Sequence, residues 1–137
     1  MAESLQHINL VKNIYNYAIN VIPMDYSKLI MIDSPESCLK PSRTSEGFVP
    51  DLYYCHNELL LIGEAKTSDD FDRPHSISQY MSYLKECACF EGNSLMVIAV
   101  PWTEYITAKN LIRRIKKHNE FEVEIIVINN NGKMEII

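Results

Sequence analysis

The chain has 137 residues, of which 47% are hydrophobic and 23% charged, and its formal net charge is −5. This length is typical of one domain, and the composition is globular, which excludes a disordered or fibrous protein. No apolar run approaches the roughly 20 residues that cross a bilayer, and no basic segment precedes an apolar one at the start, which predicts a single cytoplasmic domain over residues 1–137 without membrane contact.

Hydrophobic periodicity predicts the elements of the first half of the chain. The apolar positions of residues 4–22 recur at three- and four-residue steps, with Leu5 and Ile8 turned inward, as in an amphipathic helix. Residues 28–33 form a short strand, and residues 34–50, rich in Pro, Ser and Thr, form a loop that covers a substrate or is mobile. Two further strands follow.

These two strands, residues 51–55 and 58–66, form a hairpin with a tight turn at His56 and Asn57. The acidic residues after the hairpin lack the spacing of a calcium loop and are predicted to lie in a polar turn; they are Asp69, Asp70 and Asp72.

The second half of the chain alternates helices and strands. Residues 76–90 have helical apolar spacing, and residues 95–100 (LMVIAV) are apolar throughout, as in a central strand covered on both faces. Thr103 is the predicted cap of a third helix that reaches His118 with Ile106 inward. The final strands are residues 123–128 and 134–137. This order predicts an α/β sandwich with a mixed sheet.

Two acidic residues and a lysine stand out in the hairpin. Glu64-x-Lys66 is a weak signal alone, because chance predicts about one acid-x-Lys triplet in a chain of this composition. Pro50-Asp51 on the partner strand is a much rarer coincidence. The combination therefore favours a functional site.

Strand geometry brings the three charged side chains together. The predicted turn places Asp51 opposite Ile62, and side chains alternate along a strand, so Ile62, Glu64 and Lys66 share one face. Carboxylates, water and phosphate oxygens are the usual ligands of Mg²⁺. Asp51 and Glu64 would hold the metal, and Lys66 would orient the attacking water or neutralise the transition state of phosphodiester hydrolysis.

Val49-Pro50-Asp51, followed by residues 60–66 (LLIGEAK), resembles the motif of the PD-(D/E)xK nuclease superfamily. The element order over residues 3–100 is similar to its restriction-endonuclease-like αβββαβ core, a mixed sheet flanked by helices. The resemblance implies a Mg²⁺- or Mn²⁺-dependent DNA endonuclease like the small RecB-type or VRR-type nucleases. It also implies that the backbone carbonyl of Ala65 completes the metal shell.

Further positions resemble the superfamily on its helices. Many members carry an acidic residue on the first helix, and only Glu3 corresponds to it here. Gln79 and Tyr83 resemble the QxxxY pattern of the RecB-type branch, in which they contact DNA or support the catalytic site. Ser76-x-x-Gln79 is also a capping-box pattern, so helix capping and, for Tyr83, ordinary packing are alternatives.

Three polar residues near the predicted site have two interpretations each. His75 and Ser76 begin the helix, whose amides could receive a phosphate of the substrate, or His75 is a solvated loop histidine. His7 lies one helical turn after Glu3 and either faces the site or lies on the helix surface.

Cysteines and basic residues are the remaining candidates. The cysteines show no CxxC pair, which predicts free thiols rather than a zinc site; they are Cys38, Cys55, Cys87 and Cys89. A basic run could contact phosphates or simply stabilise a helix end; it comprises Arg113, Arg114, Lys116 and Lys117.

Two functions compete at this point. The first is a metal-dependent DNA endonuclease whose specificity comes from a homodimer, a protein partner or DNA shape. The second is a catalytically inactive nuclease-fold protein that binds nucleic acid or a protein partner. The net charge of −5 motivates the second, because attraction to phosphates normally requires a basic surface. Tyr53, Trp102 and Tyr105 could anchor an interface, although core packing is the favoured interpretation for each.

Overall fold

The computed structural model describes residues 4–137, which form a six-stranded mixed sheet flanked by helices. The helices are α1 (Leu5–Val21), α2 (Pro74–Cys89) and α3 (Tyr105–His118). The strands are β1 (Met31–Ile32), β2 (Leu52–His56), β3 (Leu59–Ala65), β4 (Asn93–Val100), β5 (Glu124–Asn129) and β6 (Met134–Ile136). Short 3₁₀ helices cover Met24–Leu29 and Trp102–Glu104. The predicted element order and the α/β class are confirmed.

The strands lie side by side in chain order, from β1 to β6. β3, β4 and β5 run parallel, and the outer strands pair antiparallel with their neighbours. Parallel neighbours need crossover connections, which α2 and α3 supply. β4 lies at the centre and its residues Leu95–Val100 are buried, as the apolar run predicts.

The sheet has a core on each face, because successive side chains of a strand point to opposite sides. On one face, Leu61 and Val97 pack with α1. On the other, Leu60 and Ile62 pack with α2 and α3. Within residues 4–137, no helix combines the length and the apolarity needed to span a membrane.

The predicted first helix is confirmed, but its inward face differs from the prediction. Leu10, Ile14 and Ala18 are buried, whereas Leu5 is 73% exposed. The helix lies close to the sheet at Gly63, where a Cβ atom would come within 2.5 Å of Cγ2 of Ile14. The absence of a side chain at this glycine therefore sets how closely α1 approaches the strand that carries Glu64.

Two further details of the sequence prediction are wrong. Residues 24–29 form a 3₁₀ helix, so the predicted strand over residues 28–33 shrinks to the two residues of β1. Thr103 does not cap α3, which begins at Tyr105 after a 3₁₀ turn, and Ile106 is 69% exposed. The buried face of α3 is formed by Tyr105, Ala108, Ile112 and Ile115, and Ile106 lies off that face.

The hairpin turn lies one residue later than predicted. Asn57 and Glu58 occupy it with φ values of 49° and 64°, as in a type I′ turn, and His56 pairs with Leu59. Asp51 is therefore level with Glu64 rather than with Ile62. The predicted pairing is wrong by two residues, which leaves every side chain on its predicted face.

The loop over residues 34–50 is fixed to α2. The Ser82 hydroxyl donates to the Thr44 hydroxyl at 2.8 Å, and the backbone amide of Phe48 donates to the same Thr44 oxygen at 3.1 Å. The amide of Ser45 donates to Oε1 of Glu86. These contacts place the end of the loop, and therefore Pro50 and Asp51, against the helix that carries Gln79.

We expect Glu58→Gly to raise the free energy of unfolding by about 1 kcal/mol, because a Cβ atom crowds the backbone at positive φ. The carbonyl of residue 58, which accepts from the amide of Asn93, is retained. Urea denaturation measures the change. Glu58→Ala keeps the Cβ atom, so equal stabilisation by Ala would show that the lost charge is responsible instead.

Candidate active site

Asp51 and Glu64 lie side by side where the β2–β3 hairpin ends. The backbone amide of Asp51 donates to Oε1 of Glu64 at 3.3 Å, and the amide of Ala65 donates to Oδ2 of Asp51 at 2.8 Å. Asp51 is 8% exposed and Glu64 only 4%. The structure thus brings the two predicted carboxylates together in a buried setting.

Lys66 completes the predicted triplet. Its Nζ atom lies 3.3 Å from Oε2 of Glu64 and donates a hydrogen bond to Oε1 of Gln79 on α2. Its backbone amide donates to the carbonyl of Ala99, which ties the end of β3 to β4. The ammonium group is therefore held between a carboxylate of the sheet and an amide of the helix.

The capping-box interpretation of Ser76 and Gln79 is wrong. α2 begins at Pro74 with Arg73 as its N-cap, so Ser76 already lies inside the helix, and it is 2% exposed. Gln79 instead contacts Lys66 across the site.

Tyr83 lies one helical turn after Gln79 and is fully buried. Burial and the nearby carboxylates of Glu64 and Asp51 raise the pKa of its hydroxyl well above the usual range. The hydroxyl makes no hydrogen bond of normal geometry with a residue in the described range 4–137. Tyr83 therefore packs in the core beneath the carboxylates, a position suited to supporting them.

His7 reaches the site from the first turn of α1. Its Nε2 atom lies 3.2 Å from Oδ2 of Asp51, and its backbone amide donates to the Ser4 hydroxyl that caps the helix. The interpretation of His7 as a helix-surface histidine is wrong. No local sequence pattern distinguishes the two cases, because the contact depends on how α1 crosses the sheet. Glu3, the predicted acid of this helix, lies outside the described residues.

The electrostatics of the site are dominated by the carboxyl groups of Asp51 and Glu64, which are buried next to each other. Burial, followed by repulsion from Asp51, raises the pKa of Glu64 to about 8, and Lys66 opposes this rise. Without a further cation, Glu64 therefore holds a proton at neutral pH. A divalent cation beside the two carboxylates would favour their ionised forms.

The donor set fits Mg²⁺ or Mn²⁺. Asp51 and Glu64 supply two carboxylates, and the carbonyl of Ala65 points to the same side of β3 as its amide, towards Asp51. Within residues 4–137, no group of three or more His, Cys, Asp or Glu side chains is placed to hold an ion. Water and substrate oxygens would have to complete the shell, as is usual for Mg²⁺.

The predicted substrate contacts at the start of α2 have different exposures. His75 is exposed and its ring lies edge-to-face on Phe48, with 5.6 Å between ring centroids, whereas the side chain of Ser76 is covered. Phosphate binding by His75 and by the Ser76 amide stays a prediction.

Two residues of the predicted basic run on α3 contact the C-terminal end of the chain. Arg113 pairs with Glu135 of β6, and Lys116 donates to the carbonyl of Ile137 at 2.8 Å. Arg114 and Lys117 are exposed. The acidic residues 69–72 lie in a turn, as predicted. The four cysteines form no disulfide with one another.

No protein-family model matches this chain, and no curated protein and no solved structure matches it either.

We expect the metal-free protein to lose stability as the pH rises from about 4.5 towards 8. In this window the unfolded chain has released the Glu64 proton and the folded chain still holds it, so folding becomes less favourable with each step in pH. Glu64→Gln should remove a part of this dependence, on the order of a few kcal/mol. Thermal denaturation in a chelator at several pH values measures it.

Parallel pH dependences for the original chain and Glu64→Gln would contradict the raised pKa of Glu64.

Proposed function

We propose that the chain is a Mg²⁺- or Mn²⁺-dependent nuclease that hydrolyses phosphodiester bonds in DNA, built on a restriction-endonuclease-like αβββαβ core. The observation that carries the proposal is the buried pair Asp51 and Glu64 facing Lys66, whose ammonium group is held by Gln79. The order α1, β1, β2, β3, α2, β4 supports the proposed core.

A structural role accounts poorly for this cluster. Burying charged groups costs several kcal/mol per ion, and hydrophobic residues of similar volume are often as stabilising or more so. Here two carboxyl groups share one lysine, and burial, followed by repulsion from Asp51, raises the pKa of Glu64 to about 8. Such a costly arrangement is typical of functional sites.

Each residue has a role in the proposed hydrolysis. Asp51, Glu64 and the Ala65 carbonyl would hold the metal, which when bound would supply Lewis-acid chemistry to the scissile phosphate and the attacking water. Lys66 orients the attacking water and neutralises charge that develops on the phosphate oxygens, and Gln79 positions its ammonium group. The water oxygen forms a bond to phosphorus and releases a proton to solvent, the ester bond to the leaving oxygen breaks, and that oxygen takes up a proton from solvent.

We expect Asp51→Asn and Lys66→Ala each to lower the rate of DNA cleavage by roughly 100-fold or more, because each removes a group that acts on the transition state. Cleavage of linear, supercoiled, single-stranded and branched DNA with Mg²⁺ or Mn²⁺ measures it. Lys85→Ala is the matched lysine control, since the Lys85 side chain is 55% exposed and pairs with Glu46 at the surface. Asp72→Asn, at an exposed turn residue, is the matched aspartate control.

Cleavage that survives both site substitutions would exclude this site. If no substrate is cut, the chain is a nuclease-fold binding protein, the alternative that the net charge of −5 favours.

Metal binding has a test that does not depend on cleavage. We expect Mn²⁺ at a hundredfold excess over its dissociation constant to stabilise the original chain by about 3 kcal/mol. At a fixed Mn²⁺ concentration the effect should be larger at pH 8.5 than at pH 6, because at the lower pH the metal must displace the Glu64 proton and binds more weakly. Thermal denaturation and calorimetry measure it. An equal effect on Asp51→Asn would place the ion elsewhere, and Asp72→Asn should behave as the original chain.

A further inference from the structure

Trp102, the only tryptophan of the chain, is 58% exposed at the start of the 3₁₀ turn that follows β4. Core packing, the favoured interpretation from the sequence, is wrong for this residue. Its backbone amide donates to Oδ1 of Asn130 at 2.8 Å, which fixes the turn to the end of β5. The structure therefore presents a large aromatic surface to solvent on an anchored turn.

A cavity of about 310 Å³ lies next to this turn. It is formed by the first two turns of α1 and the end of β5, and is lined by Leu5, Gln6, Asn9, Leu10 and Asn130. Among these lining residues there is no charged side chain, and three carry amides. Asn130 belongs both to the cavity and to the anchor of Trp102.

The cavity and Trp102 lie at the same edge of the sheet as the candidate active site. Trp102 lies three residues after Ala99, whose carbonyl accepts from the amide of Lys66. His7, which contacts Asp51, belongs to the same first two turns of α1 as the cavity-lining residues Gln6 and Asn9. If the phosphate to be cleaved binds at Asp51 and Glu64, the adjacent nucleotide of the same strand would lie near Trp102 and the cavity.

The chemistry of this surface suits a nucleobase. An indole binds the flat face of any base by stacking, and side-chain amides donate to and accept from base edges as bases do with each other. The uncharged lining offers no cation for a phosphate. A chain with net charge −5 also attracts the DNA backbone weakly, so contacts to bases must supply much of the binding free energy.

We propose that Trp102 and the cavity beside it form a subsite for an unpaired base next to the cleaved phosphate. This proposal rests on the proposed nuclease function and deepens it. The bases inside an intact duplex are stacked on both faces and cannot offer a face to the indole. The substrate class is therefore DNA with a single-stranded end or an unpaired segment at the cleavage site.

The single tryptophan makes stacking directly observable. In a chelator, where the DNA is not cut, a short single-stranded oligonucleotide should quench the fluorescence of Trp102, and a blunt duplex of the same length should not. Equal quenching by both forms, or quenching by neither, would overturn the subsite.

Substitutions test the same subsite through binding and cleavage. Trp102→Ala should weaken the binding of a labelled single strand about tenfold or more, measured by fluorescence anisotropy, and Trp102→Phe should restore most of the affinity. Ile106→Ala is the matched control, because Ile106 is also exposed and lies one helical turn away. Equal loss of binding in Ile106→Ala and Trp102→Ala would indicate a general apolar surface and overturn the base subsite.

The two proposals fail in different ways. Quenching by single strands without cleavage of any substrate would overturn the nuclease function and support the base subsite. Cleavage that requires Lys66 but is unchanged in Trp102→Ala, with blunt duplex cut as fast as frayed duplex, would overturn the subsite and support the nuclease function.

Discussion

The burial of two neighbouring carboxyl groups is the constraint on which the rest of this structure depends. Backbone amides hold Asp51 and Glu64 together, and burial and the nearby Asp51 favour the protonated form of Glu64 although Lys66 lies beside it. An isolated buried charge is expensive, so a protein that keeps such a pair needs a rigid surrounding structure. Here the hairpin fixes both backbones and the core beneath α2 supplies the rigidity.

The arrangement of Asp51, Glu64 and Lys66 was predictable from the alternation of side chains along a strand, which is unaffected by a two-residue error in the hairpin pairing. Asp51, Glu64 and Lys66 were expected on one face from strand alternation, although the turn was placed one residue early and the pairing was wrong by two. An error of one in the pairing would have moved Asp51 to the opposite face. Element types were predictable for the same reason, since periodicity survives small shifts, whereas the 3₁₀ turns at residues 24–29 and 102–104 left no periodic trace.

Contacts between distant parts of the chain were not predictable. His7 and Asp51 are 44 residues apart, and their contact follows from the angle at which α1 crosses the sheet. The docking of the loop through Thr44 and Ser82 and the exposure of Trp102 likewise arise from packing that no local pattern encodes. Asp51, Glu64 and Lys66 were found from the strands that they occupy, and Gln79 from its resemblance to a family pattern. The contact of His7, the docking of the loop and the exposure of Trp102 depend on the arrangement of elements, which neither signal describes.

The position of α1 has a consequence for folding. Its buried face, Leu10, Ile14 and Ala18, packs mainly on β3 and β4 and also on β5, so that face is fully covered only after residues near the end of the chain have joined the sheet. Such non-local contacts slow folding and leave the helix exposed in partly folded chains. The β2–β3 hairpin can bring the two carboxylates together early, but His7 can reach Asp51 only once the sheet is assembled. Completion of the site is thereby coupled to completion of the fold.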